Sequence, residues 1–159
     1  MAQTPIETDP VPIPWVSAAR TVSFGVIIVR GGAIAETADA TPRKTTAWNA
    51  AGISRQMICS HVTNDIECVR GGVYSVTFTG SFSGSKHKNF HLAIYVEGVD
   101  TNFHTDRTLG NSNEIGSCSV SGIIRCARGE KISVYYWSTD GGTELTMTEA
   151  TLTAFWIGD

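Results

Sequence analysis

The chain has 159 residues, one domain by length, and a chain of that size buries roughly 70% of its unfolded surface without needing a metal or disulfide. Charged residues make up only 17%, and 16 glycines with many serines and threonines stand in their place, which suits an all-β protein with tight turns or a surface covered by partners. A net charge of −3 lacks the basic footprint of a nucleic-acid binder, and no segment approaches the length of about 18 apolar residues that spans a membrane.

Residues 1–20 carry Pro5, Pro10, Pro12 and Pro14. Proline fixes φ and removes a backbone donor, so this stretch is expected to be an extended N-terminal arm, with the folded domain over residues 21–159. Ile13, Trp15 and Val16 give the arm apolar anchors, which suit a segment lying along another surface. The first residues show neither a basic leader nor an apolar stretch of signal-peptide length, and Asn-x-Ser/Thr is absent. Synthesis and assembly in a cytoplasm are expected.

Strand then follows strand. Val22, Phe24, Val26 and Ile28 form one apolar face, ending at Arg30-Gly31-Gly32. The Val-Arg-Gly-Gly stretch recurs at Val69–Gly72, and each copy reads as turn chemistry after an apolar run rather than as an RNA-binding array. Residues 33–52 read as a long polar connection, and Ile53–Ser60 and Ile66–Val69 as short strands around Thr63-Asn64-Asp65. From Tyr74 every second residue is apolar or glycine: Tyr74, Val76, Phe78, Gly80, Phe82. Between them lie Ser75, Thr77, Thr79 and Ser81, short and uncharged where a solvent face would carry lysine or glutamate.

Phe90–Glu97 repeats the alternation, and Asp100–Gly116 reads as a polar loop. Ser117–Cys126 sets Cys118, Val120, Gly122, Ile124 and Cys126 on one side and Ser117, Ser119 and Ser121 on the other. Lys131–Ser138 and Glu149–Ile157 close the series, the last apolar on both faces and so expected mid-sheet or at a subunit interface. No stretch shows the helical period, and the pattern predicts an all-β jelly-roll sandwich. Two hydroxyl-lined strands suit a close-packed surface, because small side chains let a neighbour approach.

Chemistry is sparse. No nucleophile elbow, phosphate loop, dinucleotide fingerprint or Cys-x-x-Cys is present. His87 and His91 stand too far apart on an extended chain to share an ion, and His61 beside Cys59 has no orienting third group. Cys118 and Cys126 are about 26 Å apart along one strand. Cys59 and Cys68 could meet across a hairpin, but four free, mostly buried thiols are expected without a secretory signal. No catalytic residue, metal or cofactor is expected.

The run GGVYSVTFTGSFSGS, followed by FHLAIYVEG, CSVSGIIRCARGEKISVYY and TLTAFWI, resembles the complement-type globular head, a trimeric jelly roll related to the tumour-necrosis-factor fold. The likeness spans residues 65–157, and none of the family's calcium-binding positions can be matched in Val99–Gly116. It implies a homotrimer, with the interface expected at Ser75, Thr77, Thr79, Ser119, Ser121 and Phe155. Similar jelly rolls without signal peptides or collagen-like repeats occur in tailed bacteriophages as head decoration proteins, head fibres and fibre tips. The resemblance therefore implies a non-enzymatic virion protein on the outer capsid surface: a homotrimeric head decoration (cement) protein. Ile13, Trp15 and Val16 would anchor it to the major capsid protein. The alternative is a receptor-binding, carbohydrate-recognising fibre tip. Lys86, Lys88, Asp100 and Asp106 would then touch a host cell-surface glycan that stacks on Tyr135 and Trp137. Neither nucleic acid nor membrane is expected as a partner.

Overall fold

The computed structural model describes residues 22–31, 34–111 and 114–159, so the arm with Ile13, Trp15 and Val16 lies outside the described residues. Period-two burial runs through the rest and sorts it into two antiparallel sheets. The strands in chain order are β1 (Phe24–Val29), β2 (Ile34–Ala38), β3 (Arg43–Lys44), β4 (Ala50–Arg55), β5 (Met57–Ser60) and β6 (Asp65–Cys68). They continue as β7 (Gly72–Gly84), β8 (Asn89–Val96), β9 (Val99–Thr108), β10 (Gly116–Cys126), β11 (Lys131–Ser138) and β12 (Thr143–Gly158). The first sheet runs β10-β7-β12-β1-β4 with β2 also on β12; the second runs β5-β6-β11-β8-β9 with β3 also on β11. No helix occurs among the described residues. This is the jelly-roll sandwich that the alternation predicts.

The inner faces fill the space between the sheets. Tyr74, Val76, Phe78 and Phe82 of β7 and Leu152 and Ala154 of β12 come from one side; Phe90, Leu92, Ile94, Ile132 and Val134 come from the other. Each buried valine, leucine, isoleucine or phenylalanine among these contributes about 1.5–3 kcal/mol relative to exposure. Edge-on aromatic contacts set the spacing, Phe82 to Phe90 at 5.7 Å and Trp48 to Phe78 at 6.3 Å. As its two-sided apolar pattern suggests, β12 lies mid-sheet, between β7 on one edge and β1 and β2 on the other.

Four sequence expectations are corrected. Residues 33–52 are not a plain connection, since they contain β2, β3 and the start of β4. A buried carboxylate pins this segment: Glu36 accepts hydrogen bonds from the Thr45 hydroxyl at 2.7 Å, the Thr46 hydroxyl at 3.0 Å and the Thr46 amide. The stretch Ile53–Ser60 is two strands in different sheets, broken at Gln56 with φ 52°. In β1 the odd residues Ile27 and Val29 enter the core, and the even set Phe24, Val26 and Ile28 lies on the outer face. The supposed loop after Val99 is largely β9, an edge strand on β8.

The four cysteines are free. Cys59 pairs in register with Ile66, not with Cys68, so the hairpin does not bring those two thiols face to face. Cys68 instead lies beside Cys126, and that contact together with burial pushes the Cys126 thiol up. Burial alone pushes Cys118 up to about 11.

Close approach requires glycine at several positions, Gly72 and Gly122 among them. Gly72 has φ 141°, and a Cβ there would strike the Gly158 carbonyl and the Trp156 indole; the Tyr74 hydroxyl reaches back to donate to the Arg70 carbonyl. A Cβ on Gly122 would run into the ring of Phe103, which crosses from β9 over β10. Gly122→Ala should therefore cost about 1–3 kcal/mol. In urea denaturation its midpoint should fall while Gly158→Ala, at a position with open space around it, leaves the midpoint unmoved.

Candidate functional site

Two surfaces stand out, one on the outer face of each sheet. On the first sheet, Ser119, Thr79 and Thr151 stand in one cross-strand row and Ser121, Thr77 and Thr153 in the next. Ser117, Ser81 and Glu149 form the row at one end, and Ile123, Ser75 and Phe155 the row at the other. β1 extends three of these rows with Ile28, Val26 and Phe24. The face thus has a hydroxyl half over β10, β7 and β12 and an apolar half over β1. The structure brings together all six residues expected at the interface, with Thr77, Thr79, Ser119, Ser121 and Phe155 exposed.

Sequence reasoning missed the shares of Thr151, Thr153, Val26 and Ile28 in this layer. The threonine alternation of β12 is the signal that could have found the first two. Among the described residues, arginines lie at one margin of the face, Arg55 opposite Phe24 and Arg125 opposite Val73. The carboxylate of Glu149 accepts from the Gly31 amide at 3.3 Å. An open depression of about 410 Å³ lies over Thr79, Ser81, Ser117, Ser119, Glu149 and Thr151.

The outer face of the second sheet carries rings. Trp137 of β11 pairs with His91 of β8, and their rings stack 5.0 Å apart at 13°. His104 of β9 meets the same indole edge-on at 5.5 Å. Tyr135 and Tyr95, on a diagonal of the same two strands, stack at 4.0 Å. Ala93 stands opposite both Tyr135 and His104 and is completely covered. Asp100 holds the His104 ring through contacts of 2.8 and 2.9 Å. Burial pulls the Asp100 carboxyl up, but the His104 contact and the Asn102 amide outweigh it and leave it below the usual carboxylate range.

Of the residues expected to contact a ligand, Asp100 and Asp106 both lie on β9 beside these rings, because that stretch is a strand. The lysines are not part of the cluster. Lys88 pairs with Asp140 at 3.4 Å, and Lys86 is exposed in the turn after β7. His104, which ties Asp100 to Trp137, was not among the sequence candidates; only knowledge that β9 is a strand would have placed it there. His87 is exposed in a turn and His91 lies in the ring cluster. Among the described residues no group of three His, Cys, Asp or Glu side chains is placed to hold a metal ion. Burial pushes the Cys59 thiol up, outweighing its contacts with the Val26 backbone and Ser54, which disfavours the thiolate a nucleophile needs.

No family model and no curated protein matches the sequence. Solved structures do match. The structure of Eiger TNF from S. frugiperda aligns at 12% identity with TM-score 0.67, covering 88% of this chain and 95% of that one. The globular domain of zebrafish complement 1qA aligns at 17% identity with TM-score 0.58, covering 85% and 97%. Murine APRIL at pH 5.0 aligns at 13% identity with TM-score 0.59, covering 86% and 99%. The chain therefore has the jelly-roll fold shared by the tumour-necrosis-factor and complement globular heads, as its strand motifs indicated.

The Asp100–His104 contact on β9 gives a direct check. His104→Ala should move the Asp100 carboxyl midpoint upward in an NMR titration. Glu114, held low by the Gly110 amide and Arg107, should keep its midpoint. An unmoved Asp100 would show that His104 does not hold it.

Proposed function

We propose that the protein is a non-enzymatic, homotrimeric structural protein of a bacteriophage virion, a decoration protein of the outer capsid surface held to the major capsid protein by residues 1–20. The observation that carries the trimer is the two-part outer face of the first sheet. A ring closed by three-fold rotation joins one patch of a subunit to a different patch of its neighbour. A face with a flat hydroxyl half and an apolar half supplies two such patches. The short side chains of Ser75, Thr77, Thr79, Ser119 and Ser121 let a neighbour's backbone approach, and Phe24, Val26, Ile28 and Phe155 supply apolar area to bury. A homotrimer is also what the resemblance of residues 65–157 to the complement-type globular head implies.

The capsid role rests on the arm, where Ile13, Trp15 and Val16 stand among prolines in a segment suited to lying along another surface. The mechanism would be burial: each trimer adds contacts across a seam that rupture must break. A receptor-binding fibre tip is the second reading, and the ring cluster on the second sheet favours it.

Thr77→Arg places a long charge in the middle of the hydroxyl layer and should convert the trimer to monomer in native mass spectrometry. A monomeric wild type, or a trimer untouched by the substitution, would remove the interface. Deleting residues 2–16 should leave the trimer intact and abolish binding to undecorated phage heads. Full occupancy by the truncated protein would refute the arm as anchor.

A further inference from the structure

The ring cluster has features that a packing role does not require. Its rings lie on the outer side of the sheet, where Tyr135, Trp137 and His91 are partly exposed and His104 is exposed. Their orientations are fixed before any ligand arrives, by the His91–Trp137 and Tyr95–Tyr135 stacks and by the Asp100–His104 contact. Polar groups border them. Asn89 donates to the His91 ring nitrogen at 3.3 Å and accepts from Thr108, and Asp106 stands exposed opposite His91 without an ion pair among the described residues.

We propose that this face is a carbohydrate-binding platform for a neutral, hydroxyl-rich glycan, with Trp137 and Tyr135 stacking on sugar C–H faces and Asp106 and Asn89 hydrogen-bonding sugar hydroxyls. It deepens the receptor-binding reading by naming a site and a ligand class, and it does not depend on capsid attachment.

Three observations select that class. The rings pack pairwise at 4.0 and 5.0 Å, so no box of ring faces is left open for a quaternary ammonium. The nearby lysines are already neutralised, Lys44 by Asp65 at 2.7 Å and Lys88 by Asp140, while Asp100 and Asp106 face outward. A phosphorylated, sulfated or sialylated ligand would meet the exposed Asp106 carboxylate, which has no ion pair among the described residues. Finally, the exposed rings are indole, phenol and imidazole, each with a polar atom beside an apolar body. That mixture suits a ligand that alternates C–H and O–H groups more than an apolar helix or strand. Rigid Tyr and Trp side chains give contact area at low entropic cost, which a weakly apolar ligand needs.

The test uses the full chain as the trimer. Immobilised neutral oligosaccharides ending in galactose, glucose or N-acetylhexosamine are compared with sialylated and sulfated ones, and intrinsic tryptophan fluorescence is followed in parallel. The wild type is expected to bind one or more neutral glycans with a fluorescence change. Trp137→Ala and Asp106→Ala should each weaken binding by at least about tenfold, with the native mass unchanged. Trp137→Phe keeps a ring against His91 and should retain most of the binding, which covers the case in which Trp137→Ala does not fold. Neutral-glycan binding that survives both Trp137→Ala and Asp106→Ala would overturn the site while leaving the receptor-binding reading standing. Retention of anionic glycans alone would overturn the ligand class. Binding to no glycan at all would overturn both the platform and that reading.

Discussion

The antiparallel ladder between β7 and β12 is the constraint on which the rest depends. Between register shifts near its two ends, it sets Phe78 against Leu152 and Val76 against Ala154 on the core side, and Thr77 against Thr153 and Thr79 against Thr151 on the other. A slip of one residue would exchange the two faces and put threonine hydroxyls in the core. The register is therefore held by the hydrophobic effect acting on one face, and the opposite face is specified as a by-product. The core and the hydroxyl layer are two sides of one pairing.

That coupling explains how the two outer surfaces differ. On the first sheet the outward residues in the middle rows of β10, β7 and β12 are serines and threonines, so these strands present a flat field that another backbone can approach. On the second sheet β8 and β11 turn the rings of His91, Tyr95, Tyr135 and Trp137 outward, with the small Ala93 and Ser133 between them, and the rings pair across strands at the spacing a sheet imposes. The edge strand β9 contributes His104 and two carboxylates to that field. One sandwich thus carries a surface suited to close association and another suited to contact with a polar ligand, on opposite sides of one core.

Much of this was legible because buried strands announce themselves. β7, β8, β10, β11 and β12 alternate cleanly, and the flanking glycines and turn residues mark their ends. β9 was not legible, since its outward Asp100, His104 and Asp106 and its short inward threonines look like loop chemistry. An edge strand needs little burial, and the positive φ of Asn102 at 63° interrupts what period there is. β2 and β3 were missed for a similar reason, their pairing being short and Glu36 buried where alternation would demand an apolar residue. The ring cluster inherited this blind spot. Tyr135 and Trp137 were visible as candidates, but His104 could join them only once β9 was a strand. The cysteine arrangement was half visible: a hairpin was right, while the meeting of Cys68 with Cys126 depends on two strands far apart in the chain.

The central place of β12 also shapes how the molecule reaches its folded state. Phe24 pairs with Phe155 and Val29 with Ala150, so the first sheet joins residues more than a hundred positions apart. Until β12 docks, β1 and β7 each present an open edge of unpaired amides and carbonyls, beside apolar side chains that have no cover. Contacts of such long range make for slow folding, and unpaired edges are where chains join one another wrongly. Yield on folding should then be governed by temperature and protein concentration, through the lifetime of the sheet that still lacks its middle strand.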